Sequence, residues 1–444
     1  MPSTKIRRAS LLAAVLPLLT ARGARAADPP APAPQVEVEL APEDKAPSKP
    51  ANLIGLGAGE APDHELVRGL TAQRFRSAEG SSIRTSVGGY GEMHVRGTTS
   101  GRDGERSWVG DVARLVIFVA HPFNDKIRAY TELEVEHALS CATCRGEAEI
   151  EQGYIDWKLI GDRFGLRSGL VLVPMGIINQ WHEPPVFHGV VRPKVETVII
   201  PSTWRELTIG SFGEPLPGLH YELYAMTGLN PLGITAGGLA NARQNGALAS
   251  VNAWAAVGRV EYEPLLGVIL GASGYASDAG ANAQVYLRDH TRVNLSYPVL
   301  GFSLDARFRR AGLEWKMLYA EFHMPESGAL MHTFDAGSVP LFPNTTSPLP
   351  TLVRGAYVEG AYDVLRLLNV SHQLLPFARI EYYDTQAAVP EGFDPNPTYS
   401  IREYTFGASY RPIQQLVFKA DYQLRNRKLG KDETQINFGI GFMY

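Results

Sequence analysis

Cysteine is almost missing from this chain: its 444 residues hold two, Cys141 and Cys144, both in the string CATC. A disulfide framework is therefore excluded, and stability has to come from packing or from sheet closure. In an exported chain the default reading of Cys141 and Cys144 is a short-loop disulfide. A redox or metal-binding pair stays open, although the surrounding βαβ pattern of a thioredoxin-like site is missing. Positive charge is not in excess either, with 42 Lys and Arg against 46 Asp and Glu and a formal net charge of −4. That balance argues against a nucleic-acid partner. Past the N-terminus no stretch reaches the ~18 uninterrupted apolar residues that a membrane helix needs. If the chain enters a membrane, it does so with strands. No G-x-S-x-G serine elbow occurs. In WHEPPVFH the histidines lack the i, i+4 spacing of a helical zinc site, and two prolines break any helix there. Local motifs thus predict no enzyme, no metal site and no cofactor. A dispersed hydrolase triad on a barrel wall stays as an alternative, because such sites are defined by geometry.

What is there favours β structure, with 44 glycines and 19 tyrosines. Residues 1–26 read as a secretory signal: Lys5, Arg7 and Arg8, then the apolar LLAAVLPLL, then Ala24-Arg25-Ala26 with cleavage before Ala27. The adjacent Arg7-Arg8 raises a twin-arginine reading, but that route carries folded proteins. Removal of this segment leaves 37 basic against 46 acidic residues, a formal net charge of −9. From Asp28 to about Pro50 the chain is rich in Pro, Ala and acids and cannot bury a core, so residues 27–82 read as a periplasmic tether with a short helix or plug piece near its end.

From about Ile83 the pattern changes to segments of roughly ten residues that alternate apolar with polar, the signature of membrane barrels. VGGYGEMHV sets Tyr90, Glu92, His94 and Arg96 opposite Val87, Met93 and Val95. RAYTELEVEH sets Glu132, Glu134 and Glu136 opposite Leu133 and Val135, three carboxylates on one face without apolar cover. Sixteen such segments start near Ile83, Asp111, Lys126, Ala148, Arg163, Trp204, Gly218, Ser250, Leu266, Pro298, Gly312, Val353, Leu375, Ile401, Gln415 and Glu433. Connections after even-numbered segments are mostly short and those after odd-numbered ones mostly long, the outer-membrane asymmetry. One exception is the long DVLRLLNVSHQL after the twelfth. The last segment, TQINFGIGFMY, ends the chain on an apolar, unprotected edge. A free edge of that kind invites aggregation, whereas a closed sheet has no edge. The predicted fold is all-β, a closed antiparallel transmembrane barrel of about sixteen strands spanning residues 83–444. The competing soluble sandwich explains neither the alternating loop lengths nor the densely charged faces.

In this order and spacing, VARLVIFVAHPFNDKIRAYTELEVEH, then GYIDWKLIGDRFGLRSGLVLVPMG, then PSTWRELTIGSFGE with LHYELYAMTG, the chain resembles the phosphate-selective porin O and P family of outer-membrane porins. The resemblance implies a homotrimer in the bacterial outer membrane that passes small anions, and a barrel-assembly signal in the final strand at Tyr444. The phosphate-specific members carry an arginine ladder and a lysine cluster at the constriction. Here the corresponding loop offers only Arg192 and Lys194.

Sixteen strands leave an aqueous channel, so the inward parity is the functional surface. The connection 174–203 is too long and too apolar for a solvated loop; Val186, Phe187, Val190, Val191, Val198, Ile199 and Ile200 need something to pack on. As the third external loop it is expected to fold inward, with His182, Glu183, His188, Arg192, Lys194 and Glu196 at the constriction. The same six residues read equally as anchors of the loop to the wall or as a subunit contact. Arg114, Arg128, Arg167, Arg307, Arg379 and Lys419, with Glu132 and Glu134 among the acids, fall on the expected lumen face, where rings of charge select ions. The expected function is passive diffusion of small hydrophilic solutes or ions, with an anion or phosphate preference open. An adhesin or binding barrel is the main alternative.

Overall fold

The computed structural model describes residues 85–444 apart from 101–103, 140–145, 336–338, 343–346 and 369. The expected signal, the tether and the Cys141–Cys144 pair lie outside the described residues. Sixteen strands form one closed antiparallel barrel. In chain order they are β1 (Ser86–Ser100), β2 (Glu105–Pro122), β3 (Ile127–Glu136), β4 (Ala148–Ile160), β5 (Phe164–Leu172), β6 (Arg205–Leu216), β7 (Leu219–Thr227) and β8 (Trp254–Leu265). There follow β9 (Val268–Asp278), β10 (Pro298–Arg310), β11 (Leu313–His323), β12 (Leu352–Tyr362), β13 (Gln373–Ala388), β14 (Ser400–Ile413), β15 (Leu416–Arg427) and β16 (Glu433–Met443). A two-residue ladder, Val285–Tyr286 with Val293 and Arg292, lies in the β9–β10 connection. No described helix is long and apolar enough to cross a membrane.

The strands mostly turn an apolar side outward, β2 being apolar on both sides where Val116, Phe118 and Ala120 are buried behind exposed Leu115 and Ile117. Leu304 is 54 % exposed while its neighbour Asp305 is 6 % exposed, and Trp315 and Met317 face out beside buried Glu314 and Lys316. This inverts a soluble sandwich and fits a lipid-facing wall around a polar interior. One end of the barrel carries the short links 123–126, 161–163, 217–218, 266–267, 311–312 and 414–415. The longer link at this end, 363–372, includes the turn Val364–Leu368. The other end carries the long connections 173–204, 228–253, 279–297 and 324–351.

The final strand closes the ring. β16 pairs with β1 from Tyr90 opposite Met443 to Ser100 opposite Glu433. Gly89 and Tyr444 then exchange backbone hydrogen bonds of 3.0 and 2.9 Å. No free edge remains at the chain end, which is why its apolar side carries none of the charges that blunt exposed edges. Ile436, Phe438 and Tyr444 are exposed on the outer face. The inner side of the same strand is small at Gly439 and Gly441, and the reason lies in the interior. A Cβ at Gly441 would stand 2.2 Å from Cβ of Pro184, and one at Gly439 3.0 Å from Val190. Both neighbours belong to the β5–β6 connection.

Candidate functional site

The β5–β6 connection folds into the barrel. It starts and returns at one point, where the Asn179 amide donates to the carbonyls of Val173 (2.8 Å) and Trp204 (3.0 Å) and accepts from the Trp204 N–H (2.8 Å). Trp204 is fully buried against Tyr275 and Phe322. Phe187, Val190, Ile199 and Ile200 are buried, Val186 nearly so, and Val191 and Val198 half-buried. A lumen that elsewhere, among the described residues, carries only small apolar clusters, around Val116, Phe118 and Ala120 and around Leu375 and Phe377, thereby acquires a large apolar core. Burial at ~25 cal/mol per Å² of apolar surface is the drive that pulls this segment out of water.

Polar contacts fix its position. Glu196 accepts hydrogen bonds of 2.6 Å each from the N–H groups of Ile177 and Ile178 and from the Tyr357 hydroxyl of β12. Burial lifts this carboxyl to about 7, against the three hydrogen bonds that favour its ionised form. Gly176 has φ of +73°, and a Cβ there would lie 2.5 Å from the Glu196 carboxylate, so only glycine fits. Along β11, β14 and β15 the wall holds the loop by its backbone. Lys316 donates to the Val186 carbonyl (2.6 Å), Ser409 to His188 (2.7 Å), Arg411 to Pro185 (2.9 Å) and Lys419 to Gly189 (2.9 Å). Asp421 accepts from the Val190 N–H (2.6 Å) and Glu381 from Val195 (3.2 Å). The Lys419 ammonium also sits 3.5 Å from the centre of the Phe187 ring.

On the opposite wall, described residues line two open cavities of the lumen. An inner one of about 400 Å³, toward the short-turn end, is lined by residues of β3–β8 together with Trp181, His182 and Glu183. An outer one of about 410 Å³, toward the long-loop end, is lined by residues of β1–β4, by Val190–Arg192, Lys194 and Thr197 of the loop, and by Arg205 and Arg243. Four Lys or Arg side chains line the inner cavity against seven carboxylates; six line the outer one against five. Between the two runs a layer of Tyr90, Arg114, Glu132, Glu134, Glu151 and His182. Arg114 lies 3.1 Å from Glu134, 3.4 Å from Glu92 and 3.8 Å from Glu136.

The residues singled out from sequence therefore separate into groups. His182, Glu183, Arg192 and Lys194 line the cavities, with His182 and Glu183 on the inner and Arg192 and Lys194 on the outer side. His188 is buried 3.1 Å from Glu314, and Glu196 is spent on the loop's own backbone. Arg128, Arg167 and Glu132 line the inner cavity and Arg114 the outer. Arg167 is bidentate to Asp156 at 2.7 and 3.0 Å, with its guanidinium over the Tyr154 and Phe212 rings. Arg307 pairs with Glu261, in a group completed by Arg259 and Asp305. Arg379 is fully buried between Glu359 (3.0 Å) and Glu381 (2.7 Å), and Lys419 is buried under the loop. Neither lines either of these two cavities. Lys194 also reaches a small cleft of about 200 Å³ shared with Arg425, Arg427, Tyr383 and Tyr399, and burial lowers the pKa of its ammonium.

The participants not singled out from sequence include Glu151, Arg205 and Arg243. Arg205 pairs with Glu149, and Arg243 donates to the Ser202 carbonyl. Glu151 sits at a bulge, because Glu132 pairs with Gln152 while Leu133 pairs with Ile150. The signal is a parity break in AEIEQGYIDW: Ile150 faces out on an even number, Ile155 and Trp157 on odd ones.

With this geometry in hand, relatives are informative. The chain is 31 % identical over 363 residues to an uncharacterized protein of Aquifex aeolicus (strain VF5), covering 81 % of this chain and 80 % of that one. The two belong to one family. No family model matches the chain, so the resemblance to the O and P porins rests on its residues. Among solved structures it is similar to Salmonella typhi OmpF in complex with daunomycin (13 % identity, TM-score 0.54, covering 82 % of this chain and 98 % of that one). It is also similar to an anion-selective porin from Comamonas acidovorans (11 %, 0.52, covering 82 % and 100 %) and to the outer membrane channel DcaP of Acinetobacter baumannii (10 %, 0.51, covering 83 % and 99 %). At such identities the likeness is one of fold: a porin-type barrel.

Proposed function

We propose that the protein is an outer-membrane porin through which small hydrophilic solutes or ions diffuse passively, with the β5–β6 loop as its constriction. The observation that carries this reading is the pair of charged cavities, about 400 and 410 Å³, on either side of an inward loop inside a closed barrel. Charged walls stabilise a partly dehydrated solute and release it again, with no covalent chemistry. The long-loop end then faces the exterior and the short-turn end the periplasm, with residues 1–26 as the cleaved export signal and 27–82 as the tether. A homotrimer and recognition of the Tyr444 strand by the barrel-assembly machinery complete the proposal. An anion preference fits the outer cavity, where basic side chains outnumber acids, and one of the structural neighbours is an anion-selective porin. Phosphate specificity of the O and P kind has only Arg192 and Lys194 of the loop behind it.

Single-channel recording of the refolded protein in a planar bilayer under a KCl gradient tests this. Stable steps with an anion-side reversal potential are expected, and block by added phosphate extends the reading to phosphate. A folded, heat-modifiable barrel that gives no steps overturns it in favour of a binding barrel.

A further inference from the structure

The layer between the two cavities holds a group of side chains that ion conduction does not require. His182 of the loop, Glu132 of β3 and Glu151 of β4 are all buried, and one ligand atom from each lies within 4.8 Å of the others. The tautomer of His182 follows from its neighbours. Its Nδ1 stands 3.1 Å from the carbonyl of Asn179, which only accepts, so Nδ1 carries a proton. Its Nε2 then points into the cluster, 2.8 Å from the Tyr90 hydroxyl and 3.0 Å from Oε1 of Glu151. An imidazole held by a backbone carbonyl on one nitrogen, with the other aimed at carboxylates, is the arrangement of a metal-ligating histidine.

The charge balance gives an independent reason. Oε1 of Glu151 is buried with only the His182 Nε2 beside it at 3.0 Å, Oε2 has only the Tyr90 hydroxyl at 3.5 Å, and the buried carboxylate of neighbouring Glu134 has only Arg114 at 3.1 Å. Among the described residues no Lys or Arg lies within ion-pair distance of Glu132 or Glu151. Arg114 is already shared by Glu92, Glu134 and Glu136, and Arg192 turns its two terminal nitrogens to the Ser202 hydroxyl and the His182 carbonyl. Tyr130 and Gln152 donate to Glu132 at 3.2 and 2.6 Å, which orients that carboxylate without neutralising it. Buried carboxylates in excess call for a cation. The bulge that inserts Glu151 beside Glu132 creates the excess, and bulges re-aim side chains at functional positions.

We infer that Glu132, Glu151 and His182 form a binding site for a first-row divalent transition-metal ion, set in the constriction wall and reached from the inner cavity. One imidazole and two carboxylates suit Zn²⁺ and its neighbours better than Mg²⁺ or Ca²⁺, which favour all-oxygen sets. Ligand atoms around a common zinc stand roughly 3–4 Å apart, so the observed group closes with side-chain adjustment alone. Because Glu132 and His182 line the inner cavity, an ion held there has an aqueous route to the site.

The full-length barrel, folded in detergent, stripped with chelator and dialysed, is titrated with Zn²⁺ by calorimetry, and retained metal is counted by elemental analysis. One Zn²⁺ per chain is expected, undisturbed by a hundredfold excess of Mg²⁺. Binding is expected to weaken at least tenfold in both Glu151→Gln and His182→Gln. Retention of no Zn²⁺ by the wild type, displacement by Mg²⁺, or unchanged affinity in both variants overturns the site. Heat-modifiable migration checks each variant's fold, with Glu132→Gln replacing any that fails, and the wild-type stoichiometry needs no variant. Stoichiometry is read without conductance, so failure of the channel reading and failure of this one are distinguished.

Discussion

The two walls of one lumen are built from the same alternating strands and put their inward charges to different uses. On the β11–β16 side, Lys316, Arg411, Lys419 and Asp421 are buried and bonded to loop backbone. On the β1–β8 side, Arg114, Arg128, Lys158 and Arg167 border water-sized space. The difference traces to where the loop lies, and Gly439 and Gly441 of β16 are what allow it to lie there. An inward charge in such a barrel is therefore not by itself a pore charge. It is one only where the loop leaves it uncovered.

Filling the glycine gap is expected to break this asymmetry most. Gly441→Val places side-chain atoms where Pro184 now sits. Overpacking of this kind costs about 1–3 kcal/mol, and here the loop yields more readily than the strand. Conductance is expected to rise about twofold or more as the loop swings from the wall. An unchanged conductance in a folded variant removes the loop from the constriction.

Next in size is the grip itself. Lys419→Met deletes a charged hydrogen bond to the Gly189 carbonyl and the contact with Phe187, worth about 1.5–3 kcal/mol together with the carbonyl left bare. The expected readout is greater open-channel noise and a lower heat-modification temperature. On the wet wall, Lys158→Gln loses only its pair with Asp162 in the adjoining turn, and is expected to leave both unchanged. Equal noise in the two variants erases the distinction between the walls.

How much of this was legible beforehand differs between wall and loop. Strand positions are set by a two-residue period, and the observed starts at Ile127 (expected Lys126), Ala148, Pro298 and Glu433 differ little from the expected ones. The first hairpin differs most: β2 begins at Glu105, where the alternation pointed to Asp111, because adjacent Trp108 and Val109, both exposed, interrupt the two-residue period there. The long twelfth connection is real and contains a helical turn. The loop's apolar residues announced that it packs on something, but not on which wall. That choice is made by contacts such as Lys419 to Gly189, 230 residues apart, to which periodicity is blind. Arg379 shows the same limit, since its parity places it inward whether the loop covers it or not. Glu151 escaped because a bulge changes parity in mid-strand, and Tyr90 stood on the inward face without any sign that it would meet His182.

Selectivity comes third. Lys194→Glu puts a carboxylate at the boundary of the outer cavity and the basic cleft, and the reversal potential is expected to move toward cations by about twofold in permeability ratio. Arg192→Glu acts in the same direction. Unchanged selectivity in both variants sinks the assignment of this loop segment to the ion path.

The smallest effect is expected at the inner mouth, and its salt dependence is what makes it useful. Asp162 is one of seven carboxylates lining the inner cavity, yet its side chain is 76 % exposed and faces Lys158 across a short pair. Asp162→Asn is therefore expected to shift ion preference toward anions by only about a tenth to a third at 0.1 M salt, where the screening length is about 10 Å. At 1 M that length falls to about 3 Å and the shift should vanish. The effect of Lys194→Glu should persist, since that side chain is half-buried against the loop and poorly screened. If the two variants lose their effects in parallel as salt rises, the outer and inner cavities act as one screened reservoir, and the loop between them does not divide the path.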